Sequence, residues 1–540
     1  MKNFILLFTA IILMFSFSSA ETIIPGGNVS GTWTFAGSPY LIQGAIMIPN
    51  DSTLAIEPGV YVIFQGSYKL MVLGRMLAIG SVTDSINITA ADTTTGWLGI
   101  QFDNTQTTND SSKFYYCTIQ YSKTINTSSK QGAFYLGFSK VIISNCRISN
   151  CSANTSVGGS ASIFCDGSSP IITHNLISHN TTTNIGDLNS GGIYCWLGSP
   201  VISYNTISNN KSTFGGGICC NYSSPKISNN IISNNTTSGD GGGIYCNTSS
   251  SAITNNIISG NSASNGGGIC FYSGSPVIIN NAISNNTASN DGGGIYCDYS
   301  SPIINNNTIC NNSAAKGGAL FFTLYSSLSL YNTILWGNTA STSGQQVYLD
   351  DENSDPNFYY CDVQYGKDSI GLNGSIFFTG IYQNNIDTIP LFVTPSAGSG
   401  TGYNGLTANW SLQLLSPCIN AGTPDTTGLG LPATDLAGNP RIRGGRIDIG
   451  AYEYLLPDAI NESLTAFPMS IYPNPTTNNL TIETPQKSGI EISNIEGQII
   501  RTIYSNDKKT TIDIGNLSSG VYIIKAKTDK GIAIKKFIKE

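Results

Sequence analysis

Charge is what this chain has least of. Asp, Glu, Lys and Arg make up 11% of its 540 residues, and 25 basic against 32 acidic side chains leave a net charge of −7. Proteins that grip nucleic acid need a basic face to displace counterions, and this balance offers none, so nucleic acid is not an expected partner. Eight of the Lys and Arg fall between Lys508 and Lys539, which leaves the middle of the chain nearly bare of charge. Histidine is scarcer still, at two. His174 and His179 lie five apart, each beside an Asn, and two His alone make a weak metal motif. No metal or other cofactor is expected. Beyond residues 1–20 no run of 18 apolar residues occurs, so the mature chain is expected to carry no membrane span. Residues 1–20, MKNFILLFTAIILMFSFSSA, place Lys2 before an apolar run and end in small residues at Ala20, the layout of a secretory signal peptide cleaved before Glu21. An N-terminal membrane anchor is the alternative. Helical periodicity is also missing: no stretch of ten residues carries a 3.6-residue pattern.

What is abundant recurs. An apolar residue follows each Gly-rich turn at Ile193, Ile218, Ile244, Ile269, Ile295 and Leu320, spaced by 25 or 26 residues. Seven residues later stands a Pro (Pro200, Pro225, Pro276, Pro302) or Ser251 in its place, with Pro170 one coil earlier. Two columns of Asn keep the same beat. The first is Asn175, Asn205, Asn230, Asn256, Asn281 and Asn307, and the second is Asn180, Asn210, Asn235, Asn261, Asn286 and Asn312. An Asn amide both donates and accepts, so identical Asn stacked coil on coil can form a hydrogen-bonded ladder, and Asn tolerates the left-handed backbone of tight corners. Each coil offers three short apolar runs, such as GGGIYC, PIIN and NTI, which read as strands. The pattern predicts an all-β chain built as a parallel β-helix solenoid of about 25 residues per coil, on the order of 50 Å long by a rung spacing of about 4.8 Å.

The repeat also places the cysteines. Thirteen Cys in an exported chain would ordinarily suggest disulfides. Cys165, Cys195, Cys220, Cys246 and Cys297 share one column with Phe271 and Phe322, however, and a Cys that exchanges with Phe behaves as a core hydrophobe. Buried free thiols are expected.

Two features of the coil could carry recognition. Length varies only in the loop between the second Asn column and the Gly-rich turn: TTTNIGDLNS, TTSGD, SASN and TASND. After the GGGIYC strand come Trp196, Tyr222, Tyr272 and Tyr299, which could stack on sugar rings or simply pack coil on coil. Catalysis finds little support. The coils offer Asp166, Asp187, Asp240, Asp291 and Asp298, with Arg147, Lys211, Lys226 and Lys316 as bases. Asp240 and Asp291 share a loop column two coils apart, about 9.6 Å, too far for a retaining carboxylate pair and only marginally near the spacing of an inverting one.

Both ends depart from the repeat. Residues 21–105 lack the Asn columns but keep apolar alternation, and read as an N-terminal cap and first coils. Residues 106–385 are the β-helix proper, and 386–456 read as a closing segment over the open edge of the last coil. A linker at 457–468 leads to residues 469–540, where alternating strands broken by Pro-Asn, Glu-Gly, Ser-Gly and Lys-Gly turns predict a small immunoglobulin-like β-sandwich. The Gly-rich coils resemble those of polymorphic outer-membrane proteins and the wider pectate-lyase-like superfamily, which implies a right-handed β-helix. The last module resembles the type A sorting domain of the type IX secretion system of Bacteroidota. The matching marks are Tyr472, Pro473, Asn474 and Pro475, the turn from Asn494 to Gly497, the run from Leu517 through Gly520 to Tyr522, and the Lys-rich end. That resemblance implies export across the outer membrane by the secretion machinery, removal of the domain, and attachment to the surface or release. The leading expectation is therefore a monomeric, non-catalytic surface or secreted protein that binds a polysaccharide or another surface. The alternatives are a polysaccharide lyase or glycoside hydrolase on the same scaffold, and a purely structural rod.

Overall fold

Four inward-facing residues per coil, repeated at the 25-to-26-residue beat, pile up into the core of a long solenoid. A computed structural model describes residues 21–105, 111–127, 132–155, 158–183, 188–442, 444–455, 468–495, 497–528 and 531–540. The expected signal peptide, Asp187 and most of the expected linker lie outside them. The chain divides into two units at Tyr454–Leu455. Among the described residues there is no α-helix, only two single 3₁₀ turns.

The first unit consists of three parallel sheets of fourteen strands each and a fourth of nine. We call sheet I the one with strand Ile193–Trp196, sheet II that with Val201–Ser203, sheet III that with Thr206–Ser208, and sheet IV that with the short strand Lys211–Ser212. Successive coils keep strict register, with Ile193 over Ile218, Ile244, Ile269, Ile295 and Leu320. Fourteen rungs make the solenoid about 62 Å long. This exceeds the expected length because the N-terminal coils, although they lack the Asn columns, run through the same three sheets.

Strand alternation decides what the core contains. In the Ile-Tyr-Cys run the first and third residues point inward. Ile244 and Cys246 are fully buried in the main core, with Ile253 from sheet II and Ile258 from sheet III. The middle residue points outward, into a second cluster discussed below. All thirteen cysteines are buried and free. The close approach of coils explains the glycines: a Cβ on Gly243 would sit 2.6 Å from the Gly268 carbonyl oxygen.

The two Asn columns line the insides of the corners flanking sheet III. Asn205 is representative. Its backbone N–H and its Nδ2 both donate to Asn230 Oδ1, at 2.9 and 3.0 Å, and Nδ2 donates also to the Ile172 carbonyl at 2.9 Å. Every donor hydrogen is used in a place that water does not reach. The ladders end on other residues of the same columns, Cys146 and Cys151 on one side, Thr333 and Asn338 on the other.

The segment expected over the last open edge lies elsewhere. The core's end is covered by Ile376, Phe378 and Tyr382. Residues 392–454 run back along the flank of sheet III as a strap, where Phe392, Trp410, Leu412, Cys418 and Ile449 form a separate core with the outward faces of Ala282, Cys310 and Ile334. Side chains of the corner Asn hold it down: Asn285 donates to the Gly398 carbonyl, Asn306 to Asp448 and Asn311 to Ser396, joined by the strand residue Asn305, which donates to Leu429. Inside the strap, Arg441 and Glu453 form a buried ion pair at 3.5 Å.

The second unit is a small β-sandwich. A three-stranded and a four-stranded antiparallel sheet pack around Leu480, Ile482, Ile490, Ile492, Ile512, Ile524 and Phe537. Tyr522 stacks on Phe537 at 5.4 Å, and its hydroxyl donates to the Ser518 carbonyl at 2.8 Å.

Candidate functional site

Each coil turns three main corners, and at all three the backbone takes a positive φ. An L-residue is comfortable there only if it is Gly or, at smaller cost, Asn. In eight successive coils the corner between sheets II and III holds Asn145, His174, Tyr204, Asn229, Asn255, Asn280, Asn306 and Asn332. The corner between sheets III and IV holds Asn150, His179, Asn209, Asn234, Gly260, Asn285, Asn311 and Gly337. The corner between sheets I and II breaks the rule. It holds Phe138, Gly167, Leu197, Tyr222, Thr248, Ser273, Tyr299 and Leu324, without a single Asn, and Tyr325 follows at φ 64°. Its large apolar members are exposed, from 40% at Leu324 to 62% at Tyr325. Tyr299 and Tyr325 stack at 6.1 Å with 24° between their rings. By rung spacing the stripe from Phe138 to Leu324 is about 34 Å long.

The four aromatics singled out in the sequence fall into two places. Tyr222 and Tyr299 belong to this exposed corner. Trp196 and Tyr272 stand one residue earlier, on the strand itself, half-buried against the outward cluster of sheet I. The spacing looked uniform because the two columns are only one residue apart. Phe138, Leu197, Leu324 and Tyr325 were missed because the stripe is not purely aromatic, although their place at the end of each sheet I strand was available as a signal.

The outward cluster itself is a column of Tyr135, Phe164, Tyr194, Cys219, Tyr245, Cys270, Tyr296, Phe321 and Tyr348. Its rings stack coil on coil, as Tyr296 on Phe321 at 5.1 Å and Phe321 on Tyr348 at 5.3 Å. The cluster is almost wholly buried, with Leu188 and Phe214 packed against it, so it works as a buttress rather than as a binding platform.

Carboxylates gather beside it. Asp240 accepts from Asn265 Nδ2 at 2.9 Å and from the Tyr272 hydroxyl at 3.1 Å. Burial raises the carboxyls of Asp240, Asp291 and Asp298 above the usual range, and Asp240 adds to the rise at Asp298. The variable loop is thus partly buried, not the fully solvated turn its Gly-rich sequence suggests. Asp166 is engaged by the Tyr135 hydroxyl at 2.8 Å. Of the expected bases, Lys211 and Lys226 are exposed on sheets IV and II, Arg147 lies exposed on sheet III, and Lys316 sits 4.9 Å over the Tyr348 ring. His174 and His179 occupy different corners, and His174 stacks on Tyr204 at 4.9 Å. No group of three His, Cys, Asp or Glu suited to a metal occurs among the described residues.

In the second unit, Asn474 grips the edge strand: its Nδ2 donates to the Lys536 carbonyl at 3.1 Å and its Oδ1 accepts from the Ile538 N–H at 2.9 Å. Tyr472 bonds Glu483 through its hydroxyl and carries Lys509 over its ring at 5.2 Å.

With this geometry in hand, the chain can be set beside known families. The right-handed β-helix region matches residues 97–283 and 242–389, which together cover more than half of the chain. The secretion system C-terminal sorting domain matches residues 470–540. A comparison with curated proteins finds no match.

Proposed function

Since the chain belongs to the right-handed β-helix family and ends in a sorting domain that directs export by the type IX system to the cell surface or the medium, we propose that it is a non-catalytic surface protein that binds glycans along the corner between sheets I and II. One observation carries this reading. Holding bulky residues at positive φ costs on the order of 1 kcal/mol each, and exposing their apolar faces adds nothing to folding. In the eight coils compared, the other two corners hold Asn or Gly at thirteen of sixteen places, the exceptions being His174, Tyr204 and His179. The stripe of Phe138, Leu197, Tyr222, Tyr299, Leu324 and Tyr325 therefore earns its place outside the fold. Exposed aromatic faces spaced along nearly uncharged coils suit the C–H faces of sugar rings. A panel of bacterial, plant and animal polysaccharides presented to the purified chain tests the proposal. Binding that is lost on substituting Tyr222, Tyr299 and Tyr325 supports it, and no binding across the panel counts against it.

A polysaccharide-cleaving reading draws on Asp240 and Asp298, whose carboxyls are raised by burial on the flank of sheet I, and on the Tyr272 hydroxyl that donates to Asp240. Turnover of a glycan that disappears in Asp298→Asn would replace the binding reading with that one.

A further inference from the structure

The four-stranded sheet of the second unit runs in the order Ile499–Ser505, Ser488–Asn494, Gly520–Thr528, Gly531–Lys539. Its two edges are treated differently. Along Gly531–Lys539, Asn474 satisfies the Lys536 carbonyl and the Ile538 N–H, and the Thr476 N–H donates to the Ile538 carbonyl at 2.9 Å. Asn474 and Thr476 thus close the C-terminal end of this edge, which also carries Lys535, Lys536 and Lys539. The opposite edge has no such protection. Among the described residues Ile499–Ser505 pairs with Ser488–Asn494 alone. It is seven residues long without Pro or Lys. Its one cation, Arg501, turns away to donate to the Asp513 carbonyl at 2.6 Å. Ile499, Ile500 and Thr502 are exposed, and Tyr504 is 87% exposed beside a recess lined by Lys487, Gly489 and Lys527.

An open edge with exposed apolar side chains invites another strand, and proteins ordinarily block it with Lys, Pro, a bulge or a covering loop; here the one irregularity lies opposite Ile492 and Ser493 and leaves Arg501–Ser505 in regular register. Here one edge is blocked by the sorting motif while its counterpart is left as a template for strand addition. Charge indicates what kind of strand would fit. Residues 470–540 hold ten Lys and Arg against seven Asp and Glu, a net +3, whereas the rest of the chain has 15 against 25, a net −10. We infer that the export machinery docks on this domain by adding an extended, acidic and apolar strand to the Ile499–Ser505 edge. Its apolar side chains lie on Ile500 and Tyr504, and its carboxylates answer the net positive charge of the domain. The inference rests on the sorting-domain match and is independent of what the solenoid binds.

Export of the full chain from cells that carry the secretion system is the test. The double substitution Ile500→Asp/Tyr504→Asp, and separately Thr502→Lys, should cut surface and secreted protein by about tenfold and leave the chain in the periplasm. The matched control Ile532→Asp/Ile538→Asp, on the covered-edge strand of the same face, should export normally. Thermal unfolding of each purified full chain, expected within a few degrees of the unsubstituted protein, separates docking from folding. Amide hydrogen exchange with the detergent-solubilised outer-membrane complex should slow at 499–505 by about tenfold or more. Normal export of the edge variants overturns the inference. So does an equal loss in the control, which would point to the whole outer face, as a lipid contact would, or protection confined to 531–539.

Discussion

Tyr222 and Tyr299 sit at φ of 50° and 46°, in a region where the Cβ of an L-residue crowds the following carbonyl. Asn229 and Asn306 hold the same conformation one corner further on. Replacing either Tyr by Asn should therefore raise stability by up to about 1 kcal/mol, measured by urea unfolding, while weakening binding. A drop in stability would mean that these rings pack where they stand and are not displayed. The cysteines make a second residue-scale case. Burial pushes the thiols of Cys151 and Cys361 up to about 12, so they stay inert while the protein is folded. Titration of the denatured, unreduced protein should find all thirteen thiols, and a shortfall in pairs would show bridges. The Cys column was legible in the sequence because Cys and Phe exchange in it. The outward Tyr of Ile-Tyr-Cys was not, because Tyr and Ile are both acceptable in a core and only strand alternation separates them.

At the scale of the element, the Asn ladder and the strap set the stability of the coil. Removing Asn256 would strand the Asn230 backbone N–H, take one of the two acceptors of Asn230 Nδ2, and deprive the Ile227 carbonyl of its side-chain donor. Asn256→Ala should cost on the order of 3 kcal/mol in urea unfolding, against almost nothing for the exposed Asn290→Ala; equal effects would deny the ladder its role. The strap brings a pH dependence. Asp362, buried where Cys418 Sγ donates to it at 3.2 Å, has its carboxyl pushed up to about 7 by burial. Glu453 is likewise pushed up to about 8, despite Arg441. Both values lie above those of an unfolded chain, so the docked strap binds protons more tightly than the free one. Its stabilisation is complete below about pH 4 and is lost as pH rises through 7 to 8. The melting temperature should fall over that range, and Asp362→Asn should flatten the fall; a profile that rises with pH would contradict this. The ladder could be read from identical residues on one beat. The strap could not, because it has no period and its partners, such as Asn285 with Gly398, lie more than a hundred residues apart.

On the scale of the whole molecule, fourteen coils commit most side chains to stacking, and the chemistry left over is concentrated along one corner and one sheet edge. Solenoids gain affinity by presenting many weak contacts in line, so loss of several stripe residues should act together rather than singly. The most direct test is the affinity of the purified chain for its best polysaccharide, compared with that of Tyr222→Asn/Tyr299→Asn/Tyr325→Asn, with melting temperatures recorded for both. Binding weakened by about a hundredfold in a triple variant at least as stable as the parent is the predicted result. Unchanged affinity, or a loss of affinity matched by a loss of stability, would contradict a corner built for binding.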